Sequence, residues 1–350
     1  MIKKNKGVKH IEIQMLTFLL LSILLFLPIL QVYGGESSQP KLIKVKIAYV
    51  PYIASAPLFI AEDEGFFTEQ GLQVEFVKTT EAVDALPALI KGEIDVITDI
   101  LFPSYFNAIT RGGKIKMVAD RGHLSPTGCT YTAIMARKSL VEDGKLNHLS
   151  QLKGRRIGIT QTTAVSGYFL DKALDQAGLT LPDVETAFLQ MPARVEAFKK
   201  GAIDISLATE PWITKILETG HAVVWMPIQK IVPNLQFAFL MYGSTFLEMS
   251  PDAGKNFMVA YLRGVRQYNQ GKTERNLEII AKHTGLDQGF LKRCCWQSIQ
   301  KDGQININSI LDFQAWALKK GFLDKLTSPN QFWDPSFIEY ANKILGEPKK

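Results

Sequence analysis

Val45-Lys-Ile-Ala-Tyr-Val50, Pro51-Tyr-Ile-Ala-Ser55, Pro57-Leu-Phe-Ile-Ala61 and Gly71-Leu-Gln-Val-Glu-Phe76 decide the fold. The first run reads as a strand, and Pro51 breaks it. Pro57 opens a helix in which Leu58, Ala61, Glu62 and Gly65 share the helical spacing. Proline at a helix start and glycine after its end are strong local punctuation. Phe66-Phe67 adds apolar bulk at the helix end, and Gly71-Leu72 turns into a second strand, Gln73–Phe76.

The alternation continues downstream, which argues for α/β architecture with largely parallel sheets. A helix is expected over Glu81–Lys91, a strand over Val96–Ile100, a helix from Pro103 to Arg111 and a strand over Lys116–Ala119. A second cycle gives strand Arg156–Thr160, helix Val165–Gln176, strand Val184–Gln190 and helix Ala193–Lys200. Gly92-Glu-Ile-Asp95 and Gly201-Ala-Ile-Asp204 repeat one grammar: helix, glycine, variable residue, apolar residue, aspartate, strand. Asp95 and Asp204 therefore read as turn or capping residues at strand starts. Tyr131–Arg137 and Phe237–Tyr242 are the expected crossing segments between two lobes. From Ser250 onward the pattern is helical: Pro251–Gln270, Arg275–His283, Gln288–Ser298 and Ile307–Lys320. Lobe one is expected at residues 41–135 plus 240–350 and lobe two at 136–239.

Composition excludes several classes. The chain has 350 residues, 46% hydrophobic and 21% charged, which suits two lobes with separate cores. Lys3, Lys4, Lys6 and Lys9 precede an uncharged apolar block, Met15–Leu30, followed by Gln31-Val-Tyr-Gly-Gly35. This reads as a secretory signal peptide over residues 1–34, cleaved after Gly34; an uncleaved membrane anchor is the alternative. Removing four lysines and Glu12 takes the net charge from +6 to +3, too mild for a nucleic-acid partner. Of the three cysteines, Cys129, Cys294 and Cys295, neighbours in sequence rarely bond to each other. Three buried thiols are expected, with a bridge from Cys129 to one of the pair as the alternative. No C-x-x-C or His-rich spacing indicates a metal, and no cofactor is implied. Nucleophile-elbow, H-E-x-x-H, Walker A and G-x-G-x-x-G patterns are absent from the sequence.

The pattern P-L-x-x-A-x-x-x-G-F-F-x-x-x-G-L-x-V at Pro57–Val74 resembles the opening of the periplasmic solute-binding proteins for nitrate, sulfonates, taurine and the thiamine pyrimidine precursor. Members also carry L-K-G-K-x-I-G before a Gly-Ser or Thr-rich loop; here Leu152-Lys-Gly-Arg-Arg-Ile-Gly158 precedes Gln161-Thr-Thr163. Their G-x-x-D followed by E-P is matched by Gly201, Asp204, Glu210 and Pro211. Gln161-Thr162 stands where many relatives have glycine, so this loop should approach a ligand less closely. The resemblance spans most of residues 45–245. It implies a type II periplasmic-binding fold: two lobes, two crossing hinge strands, and a ligand held between the lobes by hinge closure. It also implies a monomeric receptor that serves a membrane permease and a cytoplasmic ATPase of an ABC importer.

In open α/β sheets, ligands sit beyond the carboxyl ends of strands, where helix N-termini present unpaired N–H groups. Four loops qualify: Tyr52–Ala56, Thr98–Ser104, Gln161–Ser166 and Thr209–Trp212. They nominate Tyr52, Ser55, Asp99, Ser104, Thr162, Thr163, Ser166, Glu210 and Trp212, with Asp120 and Arg121 from the neighbouring strand end. Tyr52, Tyr105, Trp212 and Trp225 each read more readily as core than as cleft, and Thr162, Thr163 and Ser166 fit helix caps with or without a ligand. Three carboxylates, Asp99, Asp120 and Glu210, beside aromatic rings suit an N-heterocycle or aromatic compound better than nitrate. An alkanesulfonate or other organic anion, using helix N-termini and Arg121, is the alternative. A second alternative is a pyrimidine-synthase-like enzyme. The fungal enzymes of that type carry a cysteine-rich motif, whereas Cys294-Cys295-Trp296 has two cysteines rather than a cluster, and the expected export signal conflicts with that intracellular chemistry.

Overall fold

A computed structural model describes residues 41–346; the expected signal peptide lies outside the described residues. The strands are β1 (Ile43–Tyr49), β2 (Leu72–Lys78), β3 (Val96–Ile100), β4 (Lys116–His123) and β5 (Thr132–Arg137), then β6 (Arg156–Ile159), β7 (Glu185–Phe188), β8 (Ile205–Thr209), β9 (Ala222–Pro227) and β10 (Gln236–Tyr242). They form two five-stranded sheets, in the orders β2-β1-β3-β10-β4 and β7-β6-β8-β5-β9. The architecture is α/β and two-lobed, with helices flanking both sheets.

The two sheets are copies of one plan. β1 pairs parallel with β2 and β3, as β6 does with β7 and β8. Each sheet holds one strand antiparallel to both its neighbours, β10 in the first and β5 in the second. The segments expected to cross between lobes are these reversed strands. The crossings themselves run just before them, at 124–131 and 228–235, and each strand is reversed because it arrives from the other sheet.

The repeated glycine–aspartate grammar has one physical role in both halves. Gly92 and Gly201 have φ of 76° and 66°, which L side chains resist, so each ends its helix and turns the chain. The next aspartate grips the neighbouring strand twice. Asp95 N–H donates to Lys46 O at 3.0 Å while its carboxylate accepts from Lys46 N–H at 2.8 Å. Asp204 repeats this with Arg156, at 2.8 and 3.0 Å. These pairs fix the register of β3 on β1 and of β8 on β6, which aims the loops at the strand ends toward one another.

Three elements differ from the sequence reading. β4 continues through His123, so Asp120 and Arg121 are strand residues rather than a strand-end loop. β9 carries no pattern that announced it. The helix expected over Gln288–Ser298 stops at Arg293. Its freed carbonyls find side-chain donors: the Trp296 indole donates to Leu291 O at 3.2 Å, and Lys272 Nζ donates to the Lys292 and Cys294 carbonyls, each at 2.7 Å. The Cys295 N–H donates to Glu210 Oε1 instead of continuing the helix. Cys129 and Cys295 form a disulfide with Cα atoms 5.7 Å apart, which corrects the expectation of three thiols; Cys294 is free and buried. Among the described residues, no helix is long and apolar enough to cross a membrane.

Candidate ligand-binding cleft

The loops after β1, β3, β6 and β8 meet around a cavity of about 380 Å³, the size of a small-molecule site. Its walls are mostly apolar. Phe169, from the helix Val165–Asp175, stacks on Phe237 of β10 with centroids 6.0 Å apart, and Tyr131 meets Phe237 edge-on at 6.3 Å. Phe102, Val50, Ile100 and Leu207 extend this surface.

Five of the eleven nominated residues line the cavity: Tyr52, Asp99, Arg121, Ser166 and Trp212. The Tyr52 hydroxyl lies beside the Trp212 indole, and burial holds the phenol above its usual range. Asp99 is buried and accepts a hydrogen bond from the Tyr105 hydroxyl at 2.5 Å. Burial pushes its pKa up to about 7, against the opposing pull of the Tyr105 and Ile100 hydrogen bonds and the Arg121 charge. Ser166 turns its hydroxyl back to the Gln161 carbonyl at 2.9 Å.

The other six serve elsewhere. Ser55 accepts from Arg121 Nη2 at 3.2 Å and donates to Val50 O at 2.9 Å, so it positions the arginine from behind. Ser104 and Thr163 line a second depression that shares Glu81, Phe102, Thr160, Gln161 and Gln190 with the cavity. Thr162 packs its carbonyl against Gly167 in the turn into the next helix. Asp120 is fully enclosed and saturated. It accepts from Gly122 N–H (2.6 Å), Gln236 Nε2 (2.7 Å) and Gln300 N–H (2.7 Å), and His123 Nδ1 lies 2.9 Å away. Glu210 accepts from Thr214 N–H and Oγ1 and from Cys295 N–H. Both carboxylates are therefore anchors of neighbouring backbone and do not face the cavity.

Sequence reasoning missed Arg194, the most deeply buried large side chain of the cavity wall, 1% exposed. It sits in the first turn of the helix Met191–Lys199. Nε donates to Leu189 O at 2.7 Å, Nη1 to Leu207 O at 2.5 Å and Nη2 to Thr160 Oγ1. A cation in a first helical turn opposes the macrodipole, and that mismatch is the signal that could have singled it out. Desolvation brings its pKa down to about 10, so it stays charged at neutral pH. Arg121 is 4% exposed, and its Nε has no partner among the described residues. Neither guanidinium is paired with a carboxylate among the described residues. Glu81, half-buried and held above its usual range by burial, and Asp99 are the acidic groups on the wall. Gln297, Thr98 and Thr132 also line the cavity with buried polar atoms that lack partners among the described residues.

A model of the NMT1-like family matches residues 38–282. The chain belongs to the NMT1-like family. Its fold is that of the periplasmic substrate-binding proteins. A zinc-bound ligand-binding component of an ABC-type import system from Staphylococcus aureus superposes with TM-score 0.69, at 18% identity over 85% of this chain and 99% of that one. The aliphatic sulphonate-binding protein of Escherichia coli gives 0.67, at 19% identity over 85% and 94%. The nitrate-binding protein of Synechocystis gives 0.67, at 15% identity over 88% and 90%. No curated protein matches in sequence. Among the described residues, no group of three His, Cys, Asp or Glu is placed to hold a metal ion.

Proposed function

We propose that this NMT1-like protein is the extracytoplasmic solute-binding receptor of an ABC importer, and that its ligand is an organic anion with an apolar or aromatic body. The lobes close on the ligand about the crossing segments, and the closed form docks on a permease driven by a separate ATPase. The receptor works as a monomer, exported by its amino-terminal signal. The fold neighbours support this reading: they include a component of an import system, a sulphonate-binding protein and a nitrate-binding protein.

One observation carries the ligand class. Two buried arginines, Arg121 and Arg194, face the same apolar cavity with no carboxylate partner among the described residues. A buried unpaired cation is costly, and an anionic ligand supplies its partner. The N-heterocycle reading rested on three carboxylates at the cleft; two of them, Asp120 and Glu210, are saturated by internal hydrogen bonds. Asp99 and Glu81 remain to accept from a donor elsewhere on the ligand, such as an amino or hydroxyl group. Nitrate would leave most of the aromatic wall uncovered. As a catalytic site the cavity is poorly equipped: its lining includes no histidine, cysteine or lysine. The Cys294 thiol is pushed up to about 11 by burial, and so is a poor nucleophile.

A thermal-shift panel of aryl and alkyl sulfonates, aromatic carboxylates, aminopyrimidines and nitrate tests the reading. A ligand at a hundred times its Kd stabilises the native state by about 2.7 kcal/mol. The expected result is a shift of several degrees confined to organic anions. A shift confined to aminopyrimidines would overturn the ligand class.

A further inference from the structure

We infer that Gln297 is a specificity-determining residue of the cleft, delivered to it by the disulfide-tethered segment Cys294–Gln300. The inference deepens the receptor reading and rests on it. Gln297 is 1% exposed, lines the cavity, and has no partner for either Oε1 or Nε2 among the described residues. A buried amide left unpaired destabilises a fold. A side chain that merely filled space here would be apolar.

The segment around Gln297 is fixed from every side. Cys295 is bonded to Cys129 of the crossing segment, and its N–H is held by Glu210 at 3.1 Å. Trp296 stacks on Tyr268 at 5.3 Å, and the Tyr268 hydroxyl donates to the Gln297 carbonyl at 2.9 Å. The Ser298 carbonyl accepts from His123 N–H at 3.0 Å, and Gln300 N–H donates to Asp120 at 2.7 Å. Gly122 makes room for the amide: a Cβ there would lie 2.2 Å from Gln297 Cδ. Everything about Gln297 is constrained except the two atoms that can hydrogen-bond to a ligand.

Arg121 and Gln297 both line the cavity, and each brings a buried N–H donor that has no partner among the described residues. Arg121 Nε and Gln297 Nε2 offer donors to oxygens of an anionic head, and Oε1 accepts from a hydrogen on it or on a neighbouring ligand atom. Gln297 would thereby discriminate among anions that the arginines alone hold equally.

The test is titration of benzenesulfonate and benzoate, with melting curves, for wild type, Gln297→Met, Gln297→Glu and Gly122→Ala. Met keeps the length of the side chain and removes its hydrogen bonds. The inference predicts that Gln297→Met binds the better anion at least tenfold more weakly while its Tm is unchanged or raised. Gln297→Glu should abolish anion binding, and Gly122→Ala, which displaces the amide, should match Gln297→Met. Wild-type affinity in Gln297→Met, or a lowered Tm in that variant, would overturn it. If wild type binds neither anion, the organic-anion reading fails on its own terms, and the Tm of Gln297→Met still decides whether the amide is unpartnered.

Discussion

Arg121 and Arg194 reach the cleft by different routes, and the difference predicts different phenotypes. Arg194 is held by two backbone carbonyls and Thr160, so it also cross-ties β6, β8 and the loop between β7 and the helix Met191–Lys199. Arg121 has one side-chain anchor, Ser55, and an idle Nε. Arg121→Met should therefore weaken organic-anion binding by at least thirtyfold, about 2 kcal/mol, with little loss of stability, as measured by titration and urea unfolding. Arg194→Met should lower both. Asp99 adds a pH dependence. Its pKa is raised from 3.8 to about 7, so the buried group favours its neutral form. The unfolded chain releases the proton first, so stability from this group is full below about pH 4 and is lost as pH rises through 7. Asp99→Asn should thus gain stability over wild type at pH 8 and not at pH 4, read from urea midpoints. Ionised Asp99 also repels an anion, so affinity should fall as pH rises through 7, by at most about tenfold per pH unit, and flatten in Asp99→Asn. Among these residues, Asp99 was legible because it stands at the end of a strand that precedes a helix, and Arg121 because the apolar run before it, Met117–Ala119, made it look like the end of its strand. Arg194, Gln297 and Thr132 were not, because their roles depend on which strands become neighbours, and β5 lies beside β8 only after the chain has crossed between sheets.

The segment Cys294–Gln300 is the element that brings Gln297 to the cavity wall. Asp120 and Glu210 looked like ligand contacts in the sequence because acidic residues near strand ends fit that role. They are instead the two carboxylates that hold this segment, one from each half of the molecule. The expected helix over Gln288–Ser298 concealed it: apolar spacing continues through Trp296, and only the disulfide, the Glu210 acceptor and the Trp296 cap show that the helix ends early. The Cys129–Cys295 bridge closes a loop with a sequence separation of 166; disulfides typically stabilise by about 2–4 kcal/mol, and so long a loop belongs at or above the top of that range. Paired Cys129→Ser and Cys295→Ser substitutions, or reduction, should lower the urea midpoint by a corresponding amount and weaken ligand binding more than tenfold. Unchanged affinity with lowered stability would make the bridge purely structural. The helices and inner strands were the most legible elements, since Pro57, Pro103, Gly92 and Gly201 punctuate them. The short edge strand β9 was the least, because its partly exposed residues carry no clean alternation.

At the scale of the whole molecule, one topological unit is used twice and exchanges a strand each way. That exchange makes the halves inseparable while leaving 124–131 and 228–235 as the two connections between the sheets. The carboxy-terminal helices bind the halves further. Trp316 donates to Asp171 at 3.0 Å, Lys320 pairs with Asp171, and Arg293 pairs with Glu218 at 2.7 Å. These helices therefore do more than support the first sheet. The doubled architecture was legible from the repeated Gly-x-Ile-Asp signal because the same turn and the same strand grip recur. The proposed ligand class was not, since the argument for it depends on which charges remain unpaired after folding. Calorimetric titration with benzenesulfonate and its uncharged analogue benzenesulfonamide tests that central claim most directly, because the two share one aromatic body. Binding of the anion at least about a hundredfold more tightly, some 2.7 kcal/mol, is the predicted result. Equal affinities, or tighter binding of the sulfonamide, would contradict the account.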